Sequence, residues 1–242
     1  MTGPTRDLDV YLLHFDDLRA HLPEYLRDRL DPLYDHLVQR QRKEHNILVK
    51  ALDTTRYAHL KQDWPVFLNQ PIPPEEVPEA AKKSTLLVAN QQILRTYRHA
   101  ARDAAAITDA SPSEQVHDLR KQAKKLRYLM EFFSSLYPKE DLKALVAELK
   151  LLQDVLGEYQ DLQVQIESLE TYASEMQAAG EAPADTLVAI GALTGQLYNR
   201  ELQVRIEMMP RLKQFARPKL RRQFAKLFAP PRKGKPGTTE DA

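Results

Sequence analysis

Two stripes of side chains at helical spacing run through the segment Val116-His117-Asp118-Leu119-Arg120-Lys121-Gln122-Ala123-Lys124-Lys125-Leu126-Arg127-Tyr128. The apolar stripe recurs at steps of three and four residues, as a helix facing a bundle core requires: Val116, Leu119, Ala123, Leu126, Met130 and Phe133. The basic stripe lies one position along, with Lys121 and Lys125 widening it: His117, Arg120, Lys124 and Arg127. Because neighbouring residues on a helix differ by about 100°, the basic stripe must lie directly beside the buried one.

The basic stripe has few acids near it in the sequence. Between Leu119 and Met130 there are five Lys or Arg residues and no Asp or Glu. We therefore expect these cations to have no partner within their own helix and to need an anion from elsewhere in the fold or from outside it. The alternative is the solvated flank of an ordinary amphipathic helix, and the spacing alone favours the two equally.

The composition indicates a chain made largely of helix. Its 242 residues include only 7 Gly, and Leu, Ala, Glu, Gln, Lys and Arg dominate. The absence of Cys excludes disulfides and thiolate chemistry and fits a reducing cytoplasm. No apolar run is long enough to cross a membrane, and the first residues do not resemble a signal peptide. We expect a soluble protein of the cytoplasm that binds no membrane.

The net charge of +1 conceals a strong segregation of charge. Residues 138–185 contain 11 acids and 3 bases, whereas residues 205–235 contain 11 bases and a single acid, Glu207. Alternating blocks of this kind predict one acidic surface and one basic surface or channel.

The helical spacing of apolar residues, together with capping residues and prolines, predicts helices throughout the chain. Ser111 is the expected N-cap of the helix that opens at Pro112, with Glu114 as the capping-box acid. Gly157 is the expected C-cap of the next helix. The proline-rich segment 69–78 reads as a connector, and the tail 230–242 is expected to be disordered. The predicted helices cover about 4–21, 23–52, 55–68, 84–107, 116–136, 139–156, 160–178, 183–208 and 211–228.

A weak internal repeat relates two parts of the chain. Residues 3–10 match residues 157–164 at four of eight positions, the Gly, Asp, Leu and Val, with an offset of 154. A duplicated unit would place the first equivalent of His117 before Met1. We therefore expect residues 1–78 to be the remainder of a first helical repeat that lacks its opening helices, and residues 79–229 to be a second repeat in the same globular unit.

Three motifs together resemble the CHAD family. They are His117-x-x-Arg120-x-x-x-Lys124-Lys125-x-Arg127-Tyr128, Leu152-Gln153-Asp154-x-Leu156-Gly157, and Gly3-x-x-Arg6-Asp7-x-Asp9-Val10. The resemblance implies an all-α bundle of two related halves with a central basic cavity. It also implies that the partner is inorganic polyphosphate, and that the protein associates with polyphosphate granules.

Carried over by motif, the resemblance implies six polyphosphate ligands: His117, Arg120, Lys124, Lys125, Arg127 and Tyr128. Lys121 is a seventh candidate only because it shares the basic face. His117 is also open to a structural role, as a donor to a backbone carbonyl. A second set of candidate ligands is Arg6, Arg40, Arg56, Arg95, Arg98 and Arg102. Arg40 is equally explained by pairing with Glu44, and Arg95, Arg98 and Arg102 by an exposed helix face. No catalytic residue, metal site or cofactor is predicted.

Three functions remain open from the sequence. A non-catalytic polyphosphate-binding module is favoured, because long basic faces border apolar stripes. An enzyme acting on phosphoanhydrides, or an accessory module of a CYTH-type triphosphatase, is an alternative. Against the enzyme, this sequence has no Glu-x-Glu-x-Lys signature and no phosphate-cradling glycine loop. A nucleic-acid binder would require aromatics among the basic residues, and only Tyr97 and Tyr128 are candidates. The basic block 211–235 is either a nonspecific nucleic-acid or membrane patch or, as its apolar residues suggest, a helix packed on the bundle.

Overall fold

The computed structural model describes residues 2–71 and 77–229, and every regular element in those ranges is a helix. The predicted all-α class is therefore confirmed. The predicted tail 230–242, and residues 72–76 of the predicted connector, lie outside the described residues. Short 3-10 turns cover Asp28–Leu30, Glu79–Lys82 and Ser134–Leu136. The α-helices are α1 (Gly3–Leu13), α2 (Phe15–Arg19), α3 (Glu24–Arg27), α4 (Asp31–Leu52), α5 (Thr55–Asn69), α6 (Thr85–Ala106), α7 (Ser113–Phe132), α8 (Lys139–Ala178), α9 (Ala184–Ala216) and α10 (Pro218–Phe228).

The described residues fall into two compact units. The first unit consists of those in Met1–Val77 and Leu162–Glu201, and the second of those in Pro78–Asp161 and Leu202–Ala242. The expectation of two related repeats divided at residue 78 stays a prediction, as does the central basic cavity.

An aromatic cluster organises the core of the second unit, where α6 packs against α7 and α10. The ring of Tyr97 stacks on Phe224 with a centroid distance of 3.7 Å and meets Phe215 edge-on at 5.4 Å. The Tyr97 hydroxyl donates to the backbone oxygen of Phe215 at 3.3 Å, and burial raises the pKa of Tyr97 to about 12. Leu220, Phe224 and Phe228 of α10 are buried, so α10 is a packed helix, as its apolar residues suggested.

In the first unit, α1 packs along α4 through buried Leu8, Leu33 and Leu37. Helix α5 differs, because none of its residues is buried. Its start is as predicted: the Thr54 hydroxyl caps it by accepting from the Tyr57 backbone N–H at 3.4 Å.

Helix α8 corrects the prediction that a helix ends at Gly157, since it runs unbroken through that residue for 40 residues. Gly157 does not have a positive φ angle, whereas Gly180 does, at 70°. At the true end of α8, the Gly180 N–H donates to the Gln177 oxygen and the Glu181 N–H to the Met176 oxygen. These two bonds form a Schellman motif, so Gly180 has the role that was assigned to Gly157.

Helix α9 corrects a second prediction, because it continues through Pro210 to Ala216 instead of ending near Met208. Proline inside a helix removes one backbone donor and crowds the preceding turn. The apolar stripe nevertheless stays in phase across Pro210, whose own side chain is exposed, and the packing of that stripe outweighs the local penalty. The buried residues of this stripe are Val204, Met208, Leu212 and Phe215.

Three smaller differences concern helix ends. The predicted first helix breaks at His14, whose ψ of 16° departs from helical geometry, and the 3-10 turn Asp28–Leu30 divides the predicted second helix into α3 and α4. Helix α7 begins at Ser113 after Pro112. The predicted Ser111 cap is wrong, because the Ser111 hydroxyl accepts from the Thr108 backbone N–H at 3.0 Å instead.

Candidate functional site

Helix α7 presents three distinct sides. The side toward the core consists of five buried residues, which confirms the predicted apolar stripe except at half-buried Phe133: Val116, Leu119, Ala123, Leu126 and Met130. A flank next to α8 carries His117, Arg120 and Arg127. Opposite the core at helical spacing lies an outer side, and we call its four exposed candidate ligands the lysine face: Lys121, Lys124, Lys125 and Tyr128.

The flank of α7 is tied to residues 153–161 of α8 by polar contacts. Arg120 donates to Asp161 at 3.1 Å, and His117 Nδ1 lies 2.7 Å from the side-chain oxygen of Gln160. Gln153 donates to the backbone oxygen of Ala123 at 2.9 Å. His117 thus bonds to a side-chain amide, and the predicted alternative of a backbone carbonyl partner is not seen among the described residues.

These contacts border a groove of about 300 Å³ between α7 and α8. Cations line one wall and carboxylates the other, three of each. An anion entering the groove would therefore meet repulsion as well as attraction. The lining residues are Arg120, Lys124, Arg127, Gln153, Asp154, Gly157, Glu158 and Asp161.

The expectation that the α7 cations have no partner in their own helix is wrong for two of them. Lys121 pairs with Asp118 at 2.7 Å, and Arg127 with Glu131 at 3.5 Å. Asp118 and Glu131 lie immediately outside the segment from Leu119 to Met130, which contains no Asp or Glu. Hydrogen bonding from Lys121 lowers the pKa of Asp118, which keeps this exposed carboxylate ionised.

Lys124 and Lys125 differ from the other α7 cations. Neither has a carboxylate within 4 Å in the described part of the chain, and both are exposed. Tyr128 beside them is 52% exposed. The lysine face therefore carries two uncompensated charges, a third shared with Asp118, and a hydroxyl donor, which is an arrangement that can hold phosphate oxygens.

A model of the CHAD domain matches residues 1–170, well over half of the chain. The chain belongs to the CHAD family. The family consists of binding domains and not of catalysts. No curated protein matches the sequence. In this CHAD protein the matched region contains helices α1 to α7 and most of α8, and thus all the candidate ligands.

The second set of candidate arginines is dispersed among α1, α4, α5 and α6. Arg6, Arg56, Arg95 and Arg98 are exposed, and Arg102 pairs with its neighbour Asp103 at 3.0 Å. None of these five lines the groove or the lysine face.

Arg40 pairs with Glu175, and the alternative of an ion pair with Glu44 is not seen among the described residues. Its guanidinium also lies 5.3 Å from the ring centroid of Tyr172. Hydrogen bonding from Arg40 lowers the pKa of Glu175. His36 approaches the same carboxylate at 3.4 Å, so this cluster is a structural ion-pair network within the first unit.

Two residues near the site were not predicted from the sequence. Phe132 lies on the outer side of α7, four residues after Tyr128, and its spacing from Lys125 and Tyr128 was the signal that could have identified it. Arg205 of α9 donates to the Tyr159 hydroxyl at 2.9 Å and to the backbone oxygens of Asp109 and Ser111, which anchors the loop before α7. No local pattern indicated this role.

Two further observations concern possible ligands. In the described part of the chain, no group of three or more His, Asp or Glu is arranged to hold a metal ion. Among the described helices, none combines the length and apolarity that a membrane crossing requires.

Proposed function

We propose that this CHAD protein binds inorganic polyphosphate through the lysine face of α7 and does no chemistry by itself. The observation that carries the proposal is the adjacent pair Lys124 and Lys125, which is exposed and has no carboxylate partner among the described residues. Membership of a binding family supports it. In this role the protein would act in the cytoplasm at polyphosphate granules, which colocalisation with a granule stain would test.

The proposal ranks the seven candidate ligands by their contacts. Lys124 and Lys125 have free ammonium groups, so they gain a phosphate partner without losing another. To bind phosphate, Arg120 would have to weaken its ion pair with Asp161, and Arg127 its ion pair with Glu131. The loss of these ion pairs reduces the net contribution of the two arginines to phosphate binding. The lysine face extends about 10 Å along the helix at 1.5 Å per residue, which allows several phosphates of one chain to be contacted together.

Charge on exposed lysines makes the proposed binding strongly dependent on salt. Each phosphate neutralised by a lysine releases counterions, and the slope of log K against log salt changes by about 0.7 to 0.9 for each contact on a nucleic acid. Polyphosphate has no bases, so discrimination among polyanions depends on charge density and on the reach of the lysines.

The test replaces both free lysines and compares a matched variant. Lys124→Ala with Lys125→Ala should weaken binding of long-chain polyphosphate about 100-fold, since each charge-assisted bond contributes about 1.5 kcal/mol. The salt slope should become shallower by about 1.5. The control, Lys139→Ala with Lys143→Ala, removes two exposed lysines of α8. Equal binding by the two variants, measured by fluorescence anisotropy of labelled polyphosphate, would refute the assigned face.

The alternative of a nucleic-acid binder is separated by competition. Unlabelled polyphosphate and single-stranded DNA are titrated against labelled polyphosphate at one ionic strength and matched phosphate concentration. We expect polyphosphate to compete at least tenfold better, because its charge density is higher and α7 offers few stacking partners along its length. Equal competition would favour a general polyanion site.

A further inference from the structure

An aromatic surface adjoins the lysine face. Phe132 at the end of α7 is 80% exposed, and Tyr128 one turn earlier is half exposed. Phe133 meets the Phe132 ring edge-on at 4.8 Å and 89°, which leaves most of that ring open to solvent. Exposure of so large an apolar group beside a binding face is a cost in water unless a ligand covers it.

Charge and aromatic surface share one depression of about 540 Å³. Lysines border it toward the start of the helix, and aromatic and aliphatic side chains form its floor toward the end. It is shallow and open, because all of its lining residues lie on one face of α7. The lining residues are Lys121, Lys124, Lys125, Tyr128, Leu129 and Phe132.

An inorganic phosphate chain would use only part of this depression. It can pair with the ammonium groups, but it has no apolar surface to place on Phe132. A complementary ligand carries a phosphate chain at one end and a flat ring at the other. Phe132 lies seven positions after Lys125, which is about 10 Å along the helix axis. A nucleoside triphosphate spans a similar distance between its terminal phosphate and its base.

We propose that the depression binds nucleoside 5′-polyphosphates, with the phosphates on Lys124 and Lys125 and the base on Phe132. This inference rests on the proposed function, since the same lysines hold the phosphates. The separation of charge from ring favours a mononucleotide, because a nucleic-acid strand needs phosphates and stacking partners alternating along its whole path.

The experiment compares ATP with inorganic tripolyphosphate, which has the same number of phosphates. Stacking of a base on an aromatic side chain contributes about 1 to 3 kcal/mol, so ATP should bind about 5- to 150-fold more tightly. Phe132→Ala should reduce ATP affinity to the level of tripolyphosphate and leave tripolyphosphate binding unchanged. Tyr198→Ala, which removes an exposed aromatic residue of α9, should change neither. Isothermal titration calorimetry measures all of these affinities.

The outcomes separate the two proposals. Equal affinities for ATP and tripolyphosphate, with loss of both in the Lys124→Ala and Lys125→Ala variant, would overturn the nucleotide site and support the polyphosphate face. Unchanged ATP affinity in Phe132→Ala would also overturn the nucleotide site. If the unaltered protein binds neither tripolyphosphate nor long-chain polyphosphate, the proposed function itself is overturned.

Discussion

Replacing Gly157 by alanine should stabilise the protein, although the sequence alone predicts the opposite sign. A C-cap glycine has a positive φ, and alanine there is strained. In the structure Gly157 is instead an interior residue of α8 without a positive φ, and a Cβ added to it meets no atom within 4 Å. Nothing opposes the gain in helix propensity.

The magnitude follows from helix propensities. Alanine is favoured over glycine in a helix interior by about 0.8 to 1.0 kcal/mol, and in a chain of this size 1 kcal/mol raises Tm by about 2 to 4 °C. Gly180→Ala is the matched control of opposite sign. Its φ of 70° costs an alanine about 1 to 2 kcal/mol, so Tm should fall by roughly 2 to 8 °C.

Thermal unfolding followed by far-ultraviolet circular dichroism measures both changes, and urea midpoints provide an independent ranking. A fall in Tm for Gly157→Ala would show that α8 is interrupted at this residue. A Gly180→Ala variant as stable as the unaltered protein would show that the Schellman motif does not form. The first result would refute the continuous helix described above, and the second would refute the end assigned to it.

Three further predictions concern residues that anchor the fold. Arg205→Met should lower the free energy of unfolding by about 1 to 3 kcal/mol in urea, because the hydrogen bonds from Arg205 to the carbonyls before α7 and to the Tyr159 hydroxyl are lost. A change below about 0.5 kcal/mol would contradict this. Because Arg40 lowers the pKa of Glu175, the ionised Glu175 stabilises the protein above the ordinary carboxyl pKa of 4.5. This stabilisation is lost as the pH falls below 4.5, so Glu175→Gln should flatten the acid limb of a curve of stability against pH. Ultraviolet titration should show Tyr97 ionising at about pH 12, later than exposed tyrosines. Burial also raises the pKa of Tyr11, Tyr137 and Tyr172, so Tyr97→Phe should reduce this late phase by the absorbance of one tyrosine.

Helical periodicity predicted the fold better than the single residues that usually start or end helices did. In α7, five of six apolar positions are buried as the spacing required. In α8, the buried residues continue in phase through Gly157: Leu149, Leu152, Leu156 and Tyr159. The same information was in the sequence, but a single glycine was given more weight than four apolar residues. Tertiary packing of a stripe outweighs a local cost of about 1 kcal/mol.

The candidate site was only partly predictable for a different reason. Spacing placed Lys124 directly beside the buried stripe, whereas the structure has Lys124, Lys125 and Tyr128 all exposed on the outer side of α7. Spacing also did not reveal that Asp161, 41 residues after Arg120, pairs with it. Such long-range partners depend on how helices pack, which periodicity does not specify. Phe132 shares a helical face with Lys125, but it belongs to neither the basic nor the apolar stripe from which the site was predicted.

Helix α5 determines what the intrinsic fluorescence of this protein can report. Trp64 is the sole tryptophan; it is 54% exposed and stacks on Phe67 with a centroid distance of 5.7 Å. Its emission therefore resembles that of a solvated indole even in the native state, so denaturation that melts the core will shift it little. A blue shift on raising protein concentration would instead signal that something has covered α5. Selective excitation of this one indole thus reports, without a label, whether a ligand or partner covers α5.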